Sequence, residues 1–264
     1  MFDIKKLLYY DILPMGVCSF SKLKNNLISC RALERIPENA KSVIVVLFPY
    51  YLGDEYYKNL NISKYAVPED YHVICGKYLN EIAISLKESY PDNDFQCFCD
   101  NSPVNEVMAG CLSGVGVRGE NSLLINEKYG SFCFVGEIVT NLEIPCEDRE
   151  IKSCKKCGLC KRKCINQAIT TDGVEKEKCL SEITQKKGEL TESEAELIKK
   201  SGCIWGCDIC QNVCPMNSCI EVSPIKEFYE TAKSTYDSDE DYNKSRAYSW
   251  RKRDVINRNL KIML

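Results

Sequence analysis

Nine cysteines fall between Cys154 and Cys214, and the first four read Cys154-Lys-Lys-Cys157-Gly-Leu-Cys160-Lys-Arg-Lys-Cys164. This is the C-x2-C-x2-C-x3-C run of bacterial ferredoxins. Its first three thiolates, held within seven residues, let a tight loop curl round one corner of a four-iron cube while the fourth cysteine serves a second cube. A second run, Cys207-Asp-Ile-Cys210-Gln-Asn-Val-Cys214-Pro215, supplies three more thiolates. Crossing the ligands as two-cluster ferredoxins do gives Cys154, Cys157, Cys160 and Cys214 to one [4Fe-4S] cluster and Cys164, Cys207 and Cys210 to the other. The second cluster then lacks a ligand, for which Cys179 and Cys203 compete. Cys179 is preferred, because Cys203 lies only four residues before Cys207 and spoils the two-residue gap. Zinc also uses paired C-x2-C knuckles, but a third cysteine at the next step is characteristic of cubane clusters.

Eighteen cysteines in a chain of 264 residues, 44% hydrophobic and 28% charged, fit a globular protein with thiolate metal chemistry. Met1–Tyr10 has no apolar core followed by a small-residue cleavage site, and no stretch reaches the length of a membrane span, so a cytoplasmic protein without membrane contact is expected. The eight cysteines before Cys154 lack ligand spacing and read as small buried hydrophobes. A net charge of -3 gives no global sign of a nucleic-acid binder.

Ser42 to Tyr50 is a continuous apolar run rich in β-branched residues, which suits a strand buried on both faces. From Tyr71 to Tyr90, Cys75, Leu79, Ile82 and Leu86 recur at three or four residues, the pattern of an amphipathic helix. Phe95 to Cys99 reads as a strand; Ser102 and Pro103 are placed to cap and open a helix running to Ser113, with Gly114 ending it. Ser122–Ile125 and Ser131–Thr140 read as strands joined in a hairpin-like connection through 126–130. The front half is therefore α/β or α+β, and 141–153 forms a polar link. The expected organisation is 1–148, then a cluster domain at 149–220, then a polar loop and basic C-terminal helix at 221–264.

Gly114-Val-Gly116-Val-Arg-Gly119 matches G-x-G-x-x-G, but a dinucleotide site needs a strand before it and a helix after it, the reverse of the order here. His72, the only histidine, reads as a surface or capping residue ahead of a general acid. Asp100, at a strand-to-helix turn, reads from position alone as structural. Seven basic residues between Lys244 and Lys261, interleaved with Tyr248 and Trp250 on an expected helix, suit an exposed face or a phosphate-contacting arm equally.

Several segments together resemble the epoxyqueuosine reductase family: Arg35-Ile-Pro-Glu-Asn-Ala-Lys-Ser-Val-Ile44, Lys64-Tyr-Ala-Val-Pro-Glu-Asp-Tyr-His72, Asp100-Asn-Ser-Pro-Val-Asn-Glu106, Gly130-Ser-Phe-Cys-Phe-Val-Gly-Glu137, the ferredoxin run, Lys178-Cys-Leu-Ser-Glu-Ile-Thr184 and Trp205-Gly-Cys-Asp-Ile-Cys-Gln-Asn-Val-Cys-Pro-Met-Asn217. The resemblance implies a nitroreductase-like cobalamin-binding domain and a two-cluster ferredoxin-like domain. It implies electrons passing from a low-potential ferredoxin- or flavodoxin-type donor through the clusters to cobalamin, which removes the epoxide oxygen of a modified tRNA base. It makes Asp100 the catalytic proton donor, its neutral form favoured by desolvation, and a cobalamin contact alongside Ser181 and Gln211. It also supports Cys179 as the last ligand.

Three departures from the family pattern stand out. Val117-Arg-Gly-Glu120 replaces aromatic-x-Gly-Lys, reversing a charge; Ile165 replaces a proline after Cys164; and the chain ends at Leu264, after what resembles the first helix of the family's C-terminal repeats. Two other expectations therefore stand beside tRNA: a related reductase acting on a small molecule or corrinoid protein, and a two-cluster electron-transfer protein.

Overall fold

The computed structural model describes residues 12–264; Met1–Tyr10, read above for a leader, lies outside them. Two compact units form, and neither is a single stretch of chain. One gathers residues up to 49, 71–119 and 123–154; the other gathers 50–70, 120–122 and 155–264.

The first unit is built on an antiparallel sheet in the order β1-β2-β6-β3, from β1 (Met15–Ser19), β2 (Ser42–Pro49), β3 (Phe95–Cys99) and β6 (Cys133–Thr140). The apolar run at 42–49 becomes β2, paired on both edges and buried along its whole length, as its β-branched sequence requires. Helix α1 (Tyr71–Ser89) buries Ile74, Cys75, Leu79, Ile82 and Leu86, the stripe read from periodicity. It lies against β6 at Gly136, where a Cβ would fall 2.8 Å from a Leu79 methyl and 2.7 Å from the Phe48 ring. The opposite face of the sheet carries Val43, Val45, Leu47 and Val139 against Ala109, Cys111 and Leu112 of α2 (Glu106–Leu112). Glu137 is paired with Val45 and Phe98 and so stands in this apolar column.

Two sequence expectations fail here. Helix α2 starts at Glu106 with Asn105 as its cap, whose side chain accepts from Met108 N, and not at Ser102 and Pro103. The Ser102 hydroxyl is engaged elsewhere, accepting from Val104 N and donating to Glu137. The hairpin also fails: β5 (Leu124–Ile125) pairs with β4 (Val117–Arg118), whereas β6 takes β2 and β3 as partners. Between them the turn at 126–130 is closed by reciprocal Asn126–Gly130 hydrogen bonds. The glycine motif at 114–119 follows α2 and runs into β4, which agrees with refusing it as a dinucleotide loop.

The second unit carries short helices: α3 (Leu159–Lys163), α4 (Leu180–Gln185), α5 (Glu192–Ser201), α6 (Ile209–Asn212), α7 (Lys226–Glu230) and α8 (Arg253–Met263). Leu180, Ile183 and Ile198 form a small core covered by Ile262 and Met263 of α8. The expected basic helix starts only at Arg253, because 247–251 forms a 3-10 turn. Its cations are largely spent on structure. Arg246 is buried and donates to Val67 O; Arg258 donates to Lys186 O and Gly188 O; Arg253 pairs with Asp239; and Arg251 lies 3.7 Å over the Trp250 ring. The segment thus departs from both readings, since several of its cations pack within the unit rather than standing free on an exposed face or an arm. The acidic stretch 237–241 is likewise ordered, with Asp241 accepting from Lys233 and from the backbone of Asp237 and Ser238.

Candidate functional site

Where β3 ends, Asp100 and Asn101 both take left-handed backbone angles, φ 54° and 40°. Aspartate and asparagine tolerate that region because their side chains bond the local backbone, and Asp100 Oδ1 accepts from Asn101 N at 2.8 Å. The turn presents the carboxylate to the start of α1. There the Tyr71 hydroxyl donates to Oδ2 at 2.9 Å, and His72 Nε2 lies 3.4 Å from the same oxygen. Tyr71 is held by stacking on Phe134 of β6, with centroids 4.1 Å apart and planes 9° apart. His72 stacks on Tyr71 in turn.

These donors decide the acid's charge. His72 contributes most, then burial opposes it, and the Asn101 N–H and Tyr71 hydroxyl add to the histidine, so Asp100 is lowered to about 2. The expectation that desolvation would keep Asp100 neutral is therefore overturned: its side chain is 61% exposed, and hydrogen bonds to the charged form outweigh burial. His72 is a surface residue as read, its side chain 47% exposed, and it also pairs with Asp100.

Carboxyls with raised pKa values lie one layer deeper. Glu106, the first residue of α2, accepts from the backbone N–H of Asp100; burial and the Asp100 charge raise it to about 7. Glu137 is fully buried and raised well above the ordinary carboxylate range by burial and by the Glu106 charge, against the lowering effect of the Ser102 hydrogen bond. Its Oε1 finds no hydrogen-bond partner among the described residues. Tyr71, Asp100, Glu106, Ser131, Cys133 and Phe134 line a cavity of about 170 Å³ in this unit. That is smaller than the roughly 300–1,000 Å³ of ordinary ligand pockets, so within the unit it fits the reacting edge of a ligand rather than a whole cofactor.

The second unit holds seven of the eight cysteines read as ligands; Cys154 is the last residue of the first unit. Left-handed Lys156 and Gly158 bend the first loop, and Glu120 accepts from Gly158 N at 3.1 Å, so the charge that departs from the family pattern is used to hold this loop. Helix α3 carries Cys160 and packs against α6, which carries Cys210. Burial pushes Cys207 and Cys210 up to about 12, and neighbouring thiols add to it, Cys203 and Cys179 at Cys207 and Cys207 and Cys179 at Cys210. Such thiols ionise when a cation coordinates them, which is the chemistry iron offers. Among the described residues no three Cys, His, Asp or Glu side chains converge in a metal-ligating geometry. The Cys203 thiol points instead at two carbonyls, those of Trp205 at 3.3 Å and Gly206 at 3.4 Å.

The loop before Cys207 is clamped from two sides. Ser63 N donates to Trp205 O, Ile204 N to Asn61 O and Trp205 Nε1 to Tyr65 Oη. Buried Asp208 accepts from Ser63 Oγ at 2.5 Å and from Lys64 N at 2.7 Å. From the other side Thr184 Oγ1 accepts from Gly206 N at 2.9 Å and donates to Ser181 O. Gln211 is buried with its amide donating to Asp208, and Ser181 lies on α4 with its carbonyl taking the Gln185 amide.

Residues 31–101 match the family described as epoxyqueuosine reductase QueG, DUF1730, and residues 153–217 match the 4Fe-4S double cluster binding domain. An epoxyqueuosine reductase of Cyclobacterium marinum is 36% identical over 69% of this chain and 60% of its own length. One of Leadbetterella byssophila is 34% identical over 78% of this chain and 69% of its own. The chain belongs to the epoxyqueuosine reductase family. It spans about 60% to 69% of the length of these two relatives.

Solved structures share the fold. The epoxyqueuosine reductase of Streptococcus thermophilus superposes with a TM-score of 0.78 at 24% identity, covering 95% of this chain and 76% of that one. An epoxyqueuosine reductase bound to an epoxyqueuosine-modified tRNA stem loop gives 0.81 at 20%, covering 99% and 80%. A reductive dehalogenase whose structure suggests a mechanism for B12-dependent dehalogenation gives 0.52 at 16%, covering 97% and 37%. In this family chain, Tyr71 and Glu106 line the cavity with Asp100, and Glu137 lies buried against Ser102, yet none of the three is singled out as a site residue by sequence reasoning. The available signal was Glu137 itself, a carboxylate inside an otherwise apolar strand of period two.

Proposed function

We propose that the chain is a corrinoid-dependent iron-sulfur reductase that removes the epoxide oxygen of epoxyqueuosine in tRNA. The observation that carries this reading is the presence, in one chain 34% identical to a named epoxyqueuosine reductase, of the 31–101 family segment and the 153–217 cluster segment. Geometry in each unit supports it separately. In the first, an aspartate aimed into a reaction-sized cavity is served by Tyr71 and His72, which suits passing a proton to an oxygen leaving group. Epoxyqueuosine reductase of Bacillus subtilis is described with a catalytic aspartate loop that swings out of its active site, and the exposed, left-handed Asp100 turn is our counterpart.

In the second unit we assign Cys157, Cys160 and Cys214, together with Cys154, to one cluster, and Cys164, Cys179, Cys207 and Cys210 to the other; the direction of the Cys203 thiol, towards two carbonyls, supports leaving it out. Ser181 and Gln211 are the residues of this unit we assign to corrinoid contact. When bound, a reduced corrinoid supplies the electron pair that opens the carbon–oxygen bond. A low-potential ferredoxin- or flavodoxin-type protein is the electron source we expect.

Anaerobic reconstitution with iron, sulfide and cobalamin, followed by desalting and metal analysis, tests the reading. Two four-iron cubes predict about eight irons and one cobalt per chain. Incubation with an epoxyqueuosine-bearing tRNA stem loop and a low-potential reductant should then give queuosine by mass spectrometry of the digest. Eight irons without cobalt and without conversion would leave an electron-transfer protein, and conversion of the free nucleoside alone would move the substrate off tRNA.

A further inference from the structure

A run of unpaired positive charge surrounds the first cluster loop. Between Lys155 and Thr171 there are five cations, Lys155, Lys156, Lys161, Arg162 and Lys163, and no aspartate or glutamate. The chain as a whole carries -3, so the rest of it is acidic on balance. Lys161 is half-buried and the other four are exposed. Among the described residues none of the five enters an ion pair. The C-terminal basic segment differs, with Arg246, Arg253 and Arg258 engaged by Val67 O, by Asp239 and by the carbonyls of Lys186 and Gly188. Lys161, Arg162 and Lys163 close α3, where cations offset the helix dipole, but Lys155 and Lys156 precede the helix and have no such use.

The loop and α3 present these charges together. Arg162 folds back over Gly158, where a Cβ would fall 2.9 Å from its Nη1. Gly158 follows Cys157, and Cys157 is the one exposed residue among the eight cysteines assigned as ligands, the other seven being half-buried. The most accessible ligand thiol thus stands at the surface within the basic run. Holding RNA phosphates calls for cations alone. The added feature here is a redox ligand exposed among them, and electron transfer, which weakens steeply with distance, requires one. An acidic protein meets in this run a charge opposite to its own, so attraction orients it and speeds encounter.

We infer that the surface formed by Lys155, Lys156, Lys161, Arg162 and Lys163 is the docking site of an acidic one-electron carrier protein, which passes electrons into the chain at Cys157. The inference rests on the proposed reductase reading for the clusters and for the ferredoxin- or flavodoxin-type class of the carrier. Each docking oxidises the carrier by one electron and reduces this chain by one, with no bond made or broken at the surface. Two dockings supply the electron pair that, with two protons, turns the epoxide into an alkene and water.

The reconstituted chain and an acidic flavodoxin test this without substrate. Carbodiimide cross-linking, which joins lysine amines to a partner's carboxylates, should link flavodoxin to Lys155, Lys156, Lys161 or Lys163 by peptide mapping, and the link should fade as salt is raised. In stopped flow at low salt, photoreduced flavodoxin should reduce Lys155→Gln/Arg162→Gln/Lys163→Gln at least about tenfold more slowly than wild type. Lys187→Gln/Lys199→Gln/Lys200→Gln, which removes as many charges elsewhere in the same unit, should stay within about twofold. Photoreduced deazaflavin, too small to need the surface, should reduce wild type and both variants alike, each holding about eight irons. Should the first variant lose iron, Lys155→Gln/Lys163→Gln, which leaves Arg162 over Gly158, decides together with the salt dependence of wild type. Cross-links confined to other lysines overturn the inference, as does a first variant reduced by flavodoxin at the wild-type rate. A first variant that loses only its affinity for a tRNA stem loop overturns it too, and makes the run an RNA contact. Cross-links on the run and salt-sensitive reduction in a protein that converts no epoxyqueuosine would keep the docking site and refute the proposed substrate; conversion driven by deazaflavin with no cross-link on the run would do the opposite.

Discussion

Gly206→Ala is a sharp test of how the second cluster loop is held. Gly206 sits at φ 74°, and a Cβ built there would fall 2.5 Å from Ser63 Cβ and 2.9 Å from Tyr65 Cε1. Neither neighbour is a free end: Ser63 is buried with its hydroxyl bound to Asp208, and Tyr65 accepts from Trp205 Nε1. The left-handed angle costs a non-glycine residue about 1 kcal/mol or slightly more. Forcing a methyl into filled space costs about 1–3 kcal/mol more, for a total of about 2–5 kcal/mol. Gly202 is the control, since it has φ 70° and nothing within 4 Å of its Cβ, so Gly202→Ala meets the first cost alone. The strain at 206 is relieved most directly by shifting Cys207, the next residue. After anaerobic reconstitution, Gly206→Ala should therefore hold about four irons where wild type and Gly202→Ala hold about eight, with a midpoint of thermal unfolding lower than the control's by roughly 2–10 °C. A Gly206→Ala protein with full iron and the stability of Gly202→Ala would refute the reasoning, because the 61–65 segment would then not be restraining the loop.

Three further outcomes follow from the site. His72→Gln should raise the Asp100 midpoint from about 2 towards an ordinary carboxylate value, read by 13C NMR; because a depressed carboxyl stabilises above its unfolded pKa and loses that as pH falls through the folded one, the variant should show less acid-induced loss between pH 4 and 2, by under about 1 kcal/mol at a 61% exposed side chain. Ser102→Ala removes the donor to Glu137 and the acceptor of Val104 N, and should cost about 2 kcal/mol, seen as faster hydrogen exchange in β6; unchanged exchange would refute the pairing. Cys203→Ser should keep full iron whereas Cys179→Ser loses the second cluster, and the reverse pattern would exchange the two assignments.

Much of the fold was legible because its signals are local. The run Ser-Val-Ile-Val-Val-Leu-Phe suits a buried strand, the spacing of Cys75, Leu79, Ile82 and Leu86 suits one face of a helix, and both lie where expected. Errors came where local preference met a distant competitor. Ser102 is a good helix cap by type, yet Glu137, 35 residues away, takes its hydroxyl. The turn at 126–130 was read correctly as a turn, but strand pairing belongs to β2 and β3, whose claim on β6 no short-range pattern reveals.

Sequence alone determined the iron-sulfur chemistry, because cluster ligation is written in spacings of two and three residues that a short loop must satisfy whatever surrounds it. It also marked Asp100, through a motif. The direction in which the pKa of that aspartate and those of its acidic neighbours are shifted was decided only in three dimensions. There β3, α1 and α2 bring His72, Tyr71 and Glu106 to one turn while Glu137 is buried beneath it. Hydrogen bonding to an anion and burial of an acid move pKa values in opposite directions, and which prevails depends on distances and exposure that no order of residues encodes.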